Sequence, residues 1–359
     1  MTTATTAFYE AIEKAAAGER LSFEEGLALL EGDDLVALGA AADDVRARLH
    51  PEGYATYCVD RNINYTNVCD VYCTFCAFYR PPGDHPEAYI RTRDEIKQKL
   101  DELYAVGGRQ ILLQGGHHPD LRIEWYEELF SWMKGEFPDL HLHALSPPEI
   151  HHIARLEDMP YEVVLTRLRA AGLDSVPGGG GEILVDRVRD KISRLKVDAE
   201  GWLEVMRVAH NLGIRSTATM MFGHVESDAE RVEHLHRLRA LQDETGGFTA
   251  YICWTFQNDG AAPLKAQTVG SAEYLRMLAI SRLYLDNIAN FQSSWVTQGM
   301  KVGELSLHYG CNDMGSTMLE ENVVSAAGTT YALNEDDLHR MARNAGFTPR
   351  RRNFFYELI

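Results

Sequence analysis

From about residue 54 the chain alternates short apolar runs with capped amphipathic segments. That alternation limits the fold most, because it is the pattern of repeated βα units on a parallel sheet. Eight strand candidates fall at about 56–64, 110–114, 140–145, 173–177, 215–222, 248–254, 290–296 and 310–314. Helices lie between them. Asp94 begins one in which Ile96, Leu100 and Leu103 share a face before Gly107 and Gly108 end it, and Ser227 with Glu230 makes a capping box for another that runs to Gly246. Eight units predict an α/β fold of the closed (βα)8, TIM-barrel type. The fourth and eighth candidates are weak, so a six-unit open barrel is the alternative.

The 359 residues suit one such barrel with modest additions. Residues 1–50 read as a helical segment, with Phe8, Ile12 and Ala15 on one face, a capping box at Ser22 and Glu25, and a continuing pattern from Leu35 to Leu49. The barrel is expected over 51–320. Residues 321–359 form a C-terminal extension, with a helix capped by Asn334 and an extended end that packs Phe354, Phe355 and Tyr356 against the body.

Hydrophobic residues at 45% allow a sizeable core, while a net charge of -18 argues against nucleic acid or an anionic membrane as partner. The basic run Arg350 to Arg352 is the local exception; it is read as a solvated strand or tail without function. No stretch approaches the roughly 18 apolar residues of a membrane span, and no basic region precedes an apolar core near residue 1, so the expected location is cytoplasmic. Three of six cysteines fall within eight positions, which is metal ligation in a reducing compartment and not a disulfide framework. Cys58, Cys253 and Cys311 are expected to be buried and inert.

The clustered cysteines are Cys69, Cys73 and Cys76, spaced CxxxCxxC in a loop after the first strand candidate. Three thiolates can hold three irons of a [4Fe-4S] cube and leave the fourth iron open to a ligand that is not protein. A structural zinc site is the alternative. Zinc wants four ligands, and the nearest extra candidate, His85, comes only after Pro81, Pro82 and Gly83.

Other motifs follow later strands, where a βα barrel gathers its reactive groups. Gly115 and Gly116 let backbone approach a ligand, and His117 and His118 beside them are candidate acids or bases. Ser146 starts a helix, and Glu149 in its first turn is a further catalytic candidate. Glycines 178–181 form a loop before Glu182, Arg187 and Arg189; a carboxylate there suits ribose hydroxyls and an arginine suits a carboxylate. Gly223 ends the fifth strand after Met220 and Met221, which read as core. Trp254, Phe256 and Gln257 end the sixth, where an aromatic substrate needs a wall and a hydrogen bond.

The cysteine run with Phe78 behind it, the strand-end glycines and the barrel pattern together resemble the radical SAM superfamily over about residues 50–320. The longer phrases Asp60 to Cys69, Gln114 to Pro119, Pro177 to Leu184, Phe222 to Glu226, Ile252 to Gln257 and Tyr309 to Gly328 look like the cyclic dehypoxanthinyl futalosine synthase family over nearly the whole chain. This resemblance implies a [4Fe-4S] cluster on Cys69, Cys73 and Cys76. It also implies S-adenosyl-L-methionine held near Phe78, Gly115, Gly116, His117, Ser146, Glu182, Arg189 and Gly223, with His117 standing where a GGE-type turn has Glu.

The implied reaction belongs to menaquinone biosynthesis by the futalosine route. A 5'-deoxyadenosyl radical abstracts hydrogen from ribose C4' of dehypoxanthine futalosine, the carbon radical attacks the benzoate ring, and loss of an electron and a proton restores aromaticity. His117, His118, Glu149 and Glu182 are candidates for the proton acceptor, and Arg61, Arg80 and Arg215 for the benzoate carboxylate. The expected partners are this small nucleoside-like substrate, a one-electron donor such as flavodoxin or ferredoxin and, for assembly, a second copy of the chain as a homodimer. Aminofutalosine synthase and the deazaflavin-forming synthase subunits are the alternative relatives.

Overall fold

The computed structural model describes residues 3–258 and 262–359. Ten strands are present: β1 Tyr54–Cys58, β2 Asp60–Ile63, β3 Gln110–Leu113, β4 His141–Ala144, β5 Ser175–Val176, β6 Arg215–Phe222, β7 Phe248–Thr255, β8 Asn290–Gln292, β9 Asp313–Ser316 and β10 Thr348–Arg351. They pair in the order β10-β1-β9-β8-β7-β6-β5-β4-β3-β2. Every pairing between them is parallel.

That order closes on itself. β1 and β2 are successive parts of one extended segment broken at Val59; β1 pairs with β9 and β2 pairs with β3. The chain after β9 continues the seam, Thr317 N donating to Cys58 O at 3.1 Å and Leu319 N to Asp60 O at 3.2 Å. Counting β1 and β2 as one gives eight positions round the ring, so the closed barrel is formed and the six-unit alternative is not. β10 is an extra strand along the edge of β1 opposite β9, in register from Tyr54 with Thr348 to Tyr57 with Arg351.

Two boundaries differ from expectation. The seventh strand candidate ends at Gln292, and Trp295–Gln298 is a helical turn. The eighth lies at Asp313–Ser316, a few residues late, because Cys311 and Asn312 still belong to the buried turn before it.

Helices cover the outside of the barrel. Arg93–Ala105 starts one residue before Asp94 because Thr92 and Glu95 form the capping box, and it seals Ile96, Leu100 and Leu103 completely against the sheet. Each such side chain contributes roughly 1.5–3 kcal/mol relative to exposure. The N-terminal helices Thr3–Ala16, Phe23–Glu31 and Leu35–Leu49 pack together and onto the helix Ser271–Tyr284, burying Leu29, Leu38 and Ala42. Among the described residues no helix is long and apolar enough to cross a membrane.

The C-terminal end plugs the barrel at the N-terminal ends of its strands. Arg352 pairs with Asp313 at the start of β9, and Phe354 stacks on His141 at the start of β4 with ring centroids 4.7 Å apart. Tyr356 receives a 2.8 Å hydrogen bond from Gln292 Nε2. Phe355, by contrast, stays half exposed. The reading of Arg350 to Arg352 as a solvated run is corrected for Arg352, which is 3% exposed. The parallel pairing of β10 turns this residue inward.

Candidate active site

The other end of the barrel opens into a cavity of about 430 Å³, lined by residues of nearly every strand and by the cysteine loop. That volume is ample for a drug-sized ligand. Cys69, Cys73 and Cys76 all line it. Their loop is folded back by Asn67, whose Nδ2 donates to Glu87 O while its Oδ1 accepts from Tyr89 N, and by Cys69 N donating to Arg80 O at 2.9 Å. Burial pushes the Cys73 thiol up to about 12 and raises Cys69 as well.

The turn after β3 supports this loop from below. Gly116 N donates to Thr66 O at 3.0 Å and Asp70 N donates to His117 O at 3.2 Å. A Cβ on Gly116 would stand 2.1 Å from Val68 O and 2.9 Å from Cys69 Cβ. Gly116→Ala is therefore expected to push the cysteine loop out of place and to lower iron incorporation about tenfold while the far-ultraviolet dichroism stays native; iron analysis after anaerobic reconstitution checks this.

Glu149 turns out to be a brace. Its Oε1 accepts from Tyr65 Oη at 2.8 Å and Gly115 N at 2.9 Å, its Oε2 from Ser146 N at 2.7 Å and Ser146 Oγ at 2.6 Å. Burial raises its pKa against these four donors. With both oxygens occupied, it fixes the glycine turn and the helix start together and has no place left for a substrate proton.

Glu182 also faces the cavity, on a backbone held at φ 35, a left-handed conformation that costs a non-glycine residue about 1 kcal/mol or more. Its Oε1 lies 2.8 Å from Lys196 Nζ. Burial opposes the Glu182 charge, but Lys196 and Arg189 outweigh it and hold the carboxyl below its usual range. Burial likewise opposes the Lys196 ammonium, and Cys73 and Glu182 hold its pKa above the ordinary lysine value. Lys196 thus places a fixed positive charge beside the thiols.

Of the expected site residues, Phe78, Gly115, Gly116, His117, Ser146, Glu149 and Glu182 line the cavity with the cysteines. Three sit elsewhere. Arg189 is buried behind the glycine loop, donating to the carbonyls of Gly180, Gly181 and Val197, so it shapes the loop instead of reaching a ligand. His118 turns away, its Nδ1 accepting from Asp120 N and its carbonyl meeting His152 Nε2. Gly223, at φ 88, packs against Val269. His117 stays, its ring beside His152 at 5.0 Å between centroids; burial, then His152 and Lys196, lower its pKa well below the usual value, leaving the ring neutral.

The arginines considered for a carboxylate are all committed outside the lumen. Arg61 pairs with Glu102 and Glu320, Arg80 with Glu87, and Arg215 donates to Gly246 O. Trp254, Phe256 and Met221 do line the cavity, whereas Met220 is core. Gln257 lines it with its Nε2 already donating to Thr255.

Polar lining residues that the sequence did not single out include Asp60, Asn62, Gln110 and Lys196. The first two had a signal in the sequence: a parallel strand is expected to be apolar, and here Asp60, Arg61 and Asn62 stand together between Val59 and Ile63. Burial pushes the Asp60 carboxyl up to about 6.

The donor set fits an iron-sulfur cube better than a single ion. Among the described residues, the one trio of potential ligand atoms mutually within 4.8 Å is Asp70, His117 and His152; the three thiols ring the cavity without converging on one point. His85, the fourth zinc ligand considered, uses its Nδ1 to accept from Glu87 N. Three thiols around an open barrel mouth, with a glycine turn and a buried Glu beside them, define a protein of the radical SAM class.

Comparison with known proteins agrees. A family model described as the radical SAM superfamily matches residues 63–238, and one for the CofH/MqnC C-terminal region matches residues 245–359. The chain is 49% identical to cyclic dehypoxanthine futalosine synthase of Halalkalibacterium halodurans over 97% of this chain and 94% of the relative. It is 43% identical to aminodeoxyfutalosine synthase of Thermus thermophilus, again over 97% of this chain and 94% of the relative. In three dimensions it is similar to methylornithine synthase, with a TM-score of 0.72, 20% identity and coverage of 95% and 97% of the two chains. The chain belongs to the radical SAM superfamily, in the family that carries the CofH/MqnC C-terminal region. That superfamily uses a [4Fe-4S] cluster and S-adenosylmethionine.

Proposed function

We propose that this protein cyclises dehypoxanthine futalosine in menaquinone biosynthesis, in the cytoplasm and with electrons from a flavodoxin- or ferredoxin-type donor. The observation that carries this reading is the trio of thiols round the mouth of a closed barrel, in a chain 49% identical to a cyclic dehypoxanthine futalosine synthase. Cys69, Cys73 and Cys76 hold the cluster. When cluster and S-adenosylmethionine are bound, they supply one-electron cleavage that delivers a 5'-deoxyadenosyl radical.

The chain's own residues do the rest. Gly115 and Gly116, braced by Glu149 and Ser146, present backbone to the methionine end of S-adenosylmethionine, and Glu182, aligned by Lys196, accepts from its ribose hydroxyls. Phe78, Trp254 and Phe256 keep water from the reacting carbon, which matters because a misplaced radical reacts with its nearest neighbour. His117 lines the cavity as a neutral, weakly basic ring, which suffices for the strongly acidic proton released when the aromatic ring is restored.

The test is an anaerobic turnover of the reconstituted protein with dehypoxanthine futalosine, S-adenosylmethionine and dithionite, followed by mass analysis. The expected result is 5'-deoxyadenosine released in step with substrate loss. Transfer of the adenosyl carbons into a product formed from an enol-ether benzoate gives the aminodeoxyfutalosine reaction instead, and defeats the cyclisation reading.

A further inference from the structure

The lower lumen holds a polar group that the cofactor reading leaves unused. Strand alternation turns Asp60 and Asn62 into the barrel, while Arg61 between them faces out to Glu102 and Glu320. Asp60 pairs in register with Gln110 on β3, so the two side chains stand side by side. Asp60 Oδ1, Asn62 Oδ1 and Gln110 Oε1 are buried without a hydrogen-bond partner among the described residues. Asp60 keeps a hydrogen bond from the Ser316 hydroxyl and two long contacts, Gln110 Nε2 at 3.5 Å and Cys58 Sγ at 3.9 Å from its Oδ2.

Arg352, the cation below, makes its ion pair with Asp313 and reaches Asp60 only through space, too weakly to offset the effect of its burial. An unpaired acceptor in a dry site costs stability, and three of them on one patch make a demand for donors. Their backbone positions lie about 6.6 Å apart along the strand and about 4.8 Å apart between strands, which leaves room for acceptors, each about 2.8 Å from its donor, to meet neighbouring hydroxyls of one sugar from outside. A carboxylate and two amide oxygens repel phosphate or a second carboxylate. They suit a neutral polyol.

We infer that Asp60, Asn62 and Gln110 form a polyol subsite that receives the sugar hydroxyls of the substrate. This rests on the proposed cyclisation and goes further by fixing the substrate's direction. β7, which carries Trp254, stands four places round the eight-position ring from β3, so the aromatic part of the substrate lies across the lumen from its sugar.

The experiment compares dehypoxanthine futalosine with analogues lacking one ribose hydroxyl, in the wild-type holoenzyme and in Gln110→Met and Asn62→Leu, which keep side-chain volume. The wild-type enzyme is expected to lose about tenfold or more in kcat/KM with a deoxy analogue, and each variant a similar amount with the full substrate, mostly through KM. In at least one variant the deoxy penalty should fall to near unity, because the acceptor that felt the missing hydroxyl is gone. An unchanged penalty in both variants overturns the subsite.

Asp60→Asn supplies a readout that a structural role would not give. The wild-type carboxyl binds its proton more tightly folded, at about 6, than unfolded, at 3.8, so ionisation costs stability progressively as pH rises through that window. The amide of the variant avoids that cost: the substrate-free melting temperature should rise above pH 6 while KM also rises, and a fall in both stability and affinity overturns the proposal. Failure of the wild-type enzyme to consume the full substrate overturns the functional reading first, before any substitution is compared.

Discussion

Serine at Cys69, Cys73 or Cys76 is expected to give a folded but iron-poor protein whose turnover drops at least about 100-fold. The reason is chemical more than steric. Serine nearly preserves shape, so the loop held by Asn67 and the Arg80 carbonyl keeps its path, but a hydroxyl does not replace a thiolate toward iron. Among the described residues beside the loop no other group stands ready to substitute. Glu182 is bound to Lys196, Glu149 has both oxygens filled, and His117 is turned to Asp70 and His152. Lys196 favours the thiolate form of Cys73, which burial alone opposes, and so the fixed positive charge belongs to the cluster site as much as the sulfurs do. Cys253→Ser is the control: that thiol is fully buried and does not line the cavity, so the substitution costs some stability and no iron. Iron and sulfide analysis with visible absorbance after anaerobic reconstitution checks both. Full iron content in any one of the three loop variants would remove that cysteine from the ligand set.

What could be read directly from residue order was whatever the chain does locally. The cysteine spacing, the glycine pair after β3 and the capping boxes at Ser22, Ser146 and Ser227 are short-range patterns, and the structure brings the first two together because one βα unit separates them. Glu149 was legible as a site residue but not in its role, since the Tyr65 and Gly115 hydrogen bonds that occupy it come from two other strands' ends. Arg189 misled for the opposite reason. An arginine after a glycine loop looks free in sequence, but here the loop's own carbonyls consume it. Asp60 and Gln110 could be paired only once the register of β2 on β3 was known, and nothing around Lys196 hints that its loop position brings the ammonium beside Cys73. Closure of the barrel was expected from the count of eight units, but the short fourth and eighth strands left a six-unit alternative open, because the seam is made by backbone hydrogen bonds after β9 that involve no distinctive side chain.

Arg352 carries the second large expectation. Arg352→Met is expected to destabilise the fold by about 3–5 kcal/mol, the usual result of stripping one partner from a buried ion pair. Arg352 and Asp313 are 3% and 0% exposed, and the guanidinium meets the carboxylate through two nitrogens, Nη2 donating to Oδ1 at 2.8 Å and Nε to Oδ2. Asp313 also accepts from Thr56 Oγ1 at 2.6 Å and Gly315 N at 2.7 Å, so one carboxylate ties β9 to β1 and to the end of the chain. Without the guanidinium that charge stays buried beneath the substrate cavity, and the plug of Phe354 and Tyr356 loses its anchor. The double variant Asp313→Asn with Arg352→Met should recover much of the loss, because it removes the stranded charge while the new amide oxygen still accepts from Thr56. Urea unfolding of the wild type, the two single variants and the double variant measures the coupling. Equal losses that simply add would mean that Arg352 acts by packing against the Tyr356 ring, 4.0 Å from its centroid, and not through its charge.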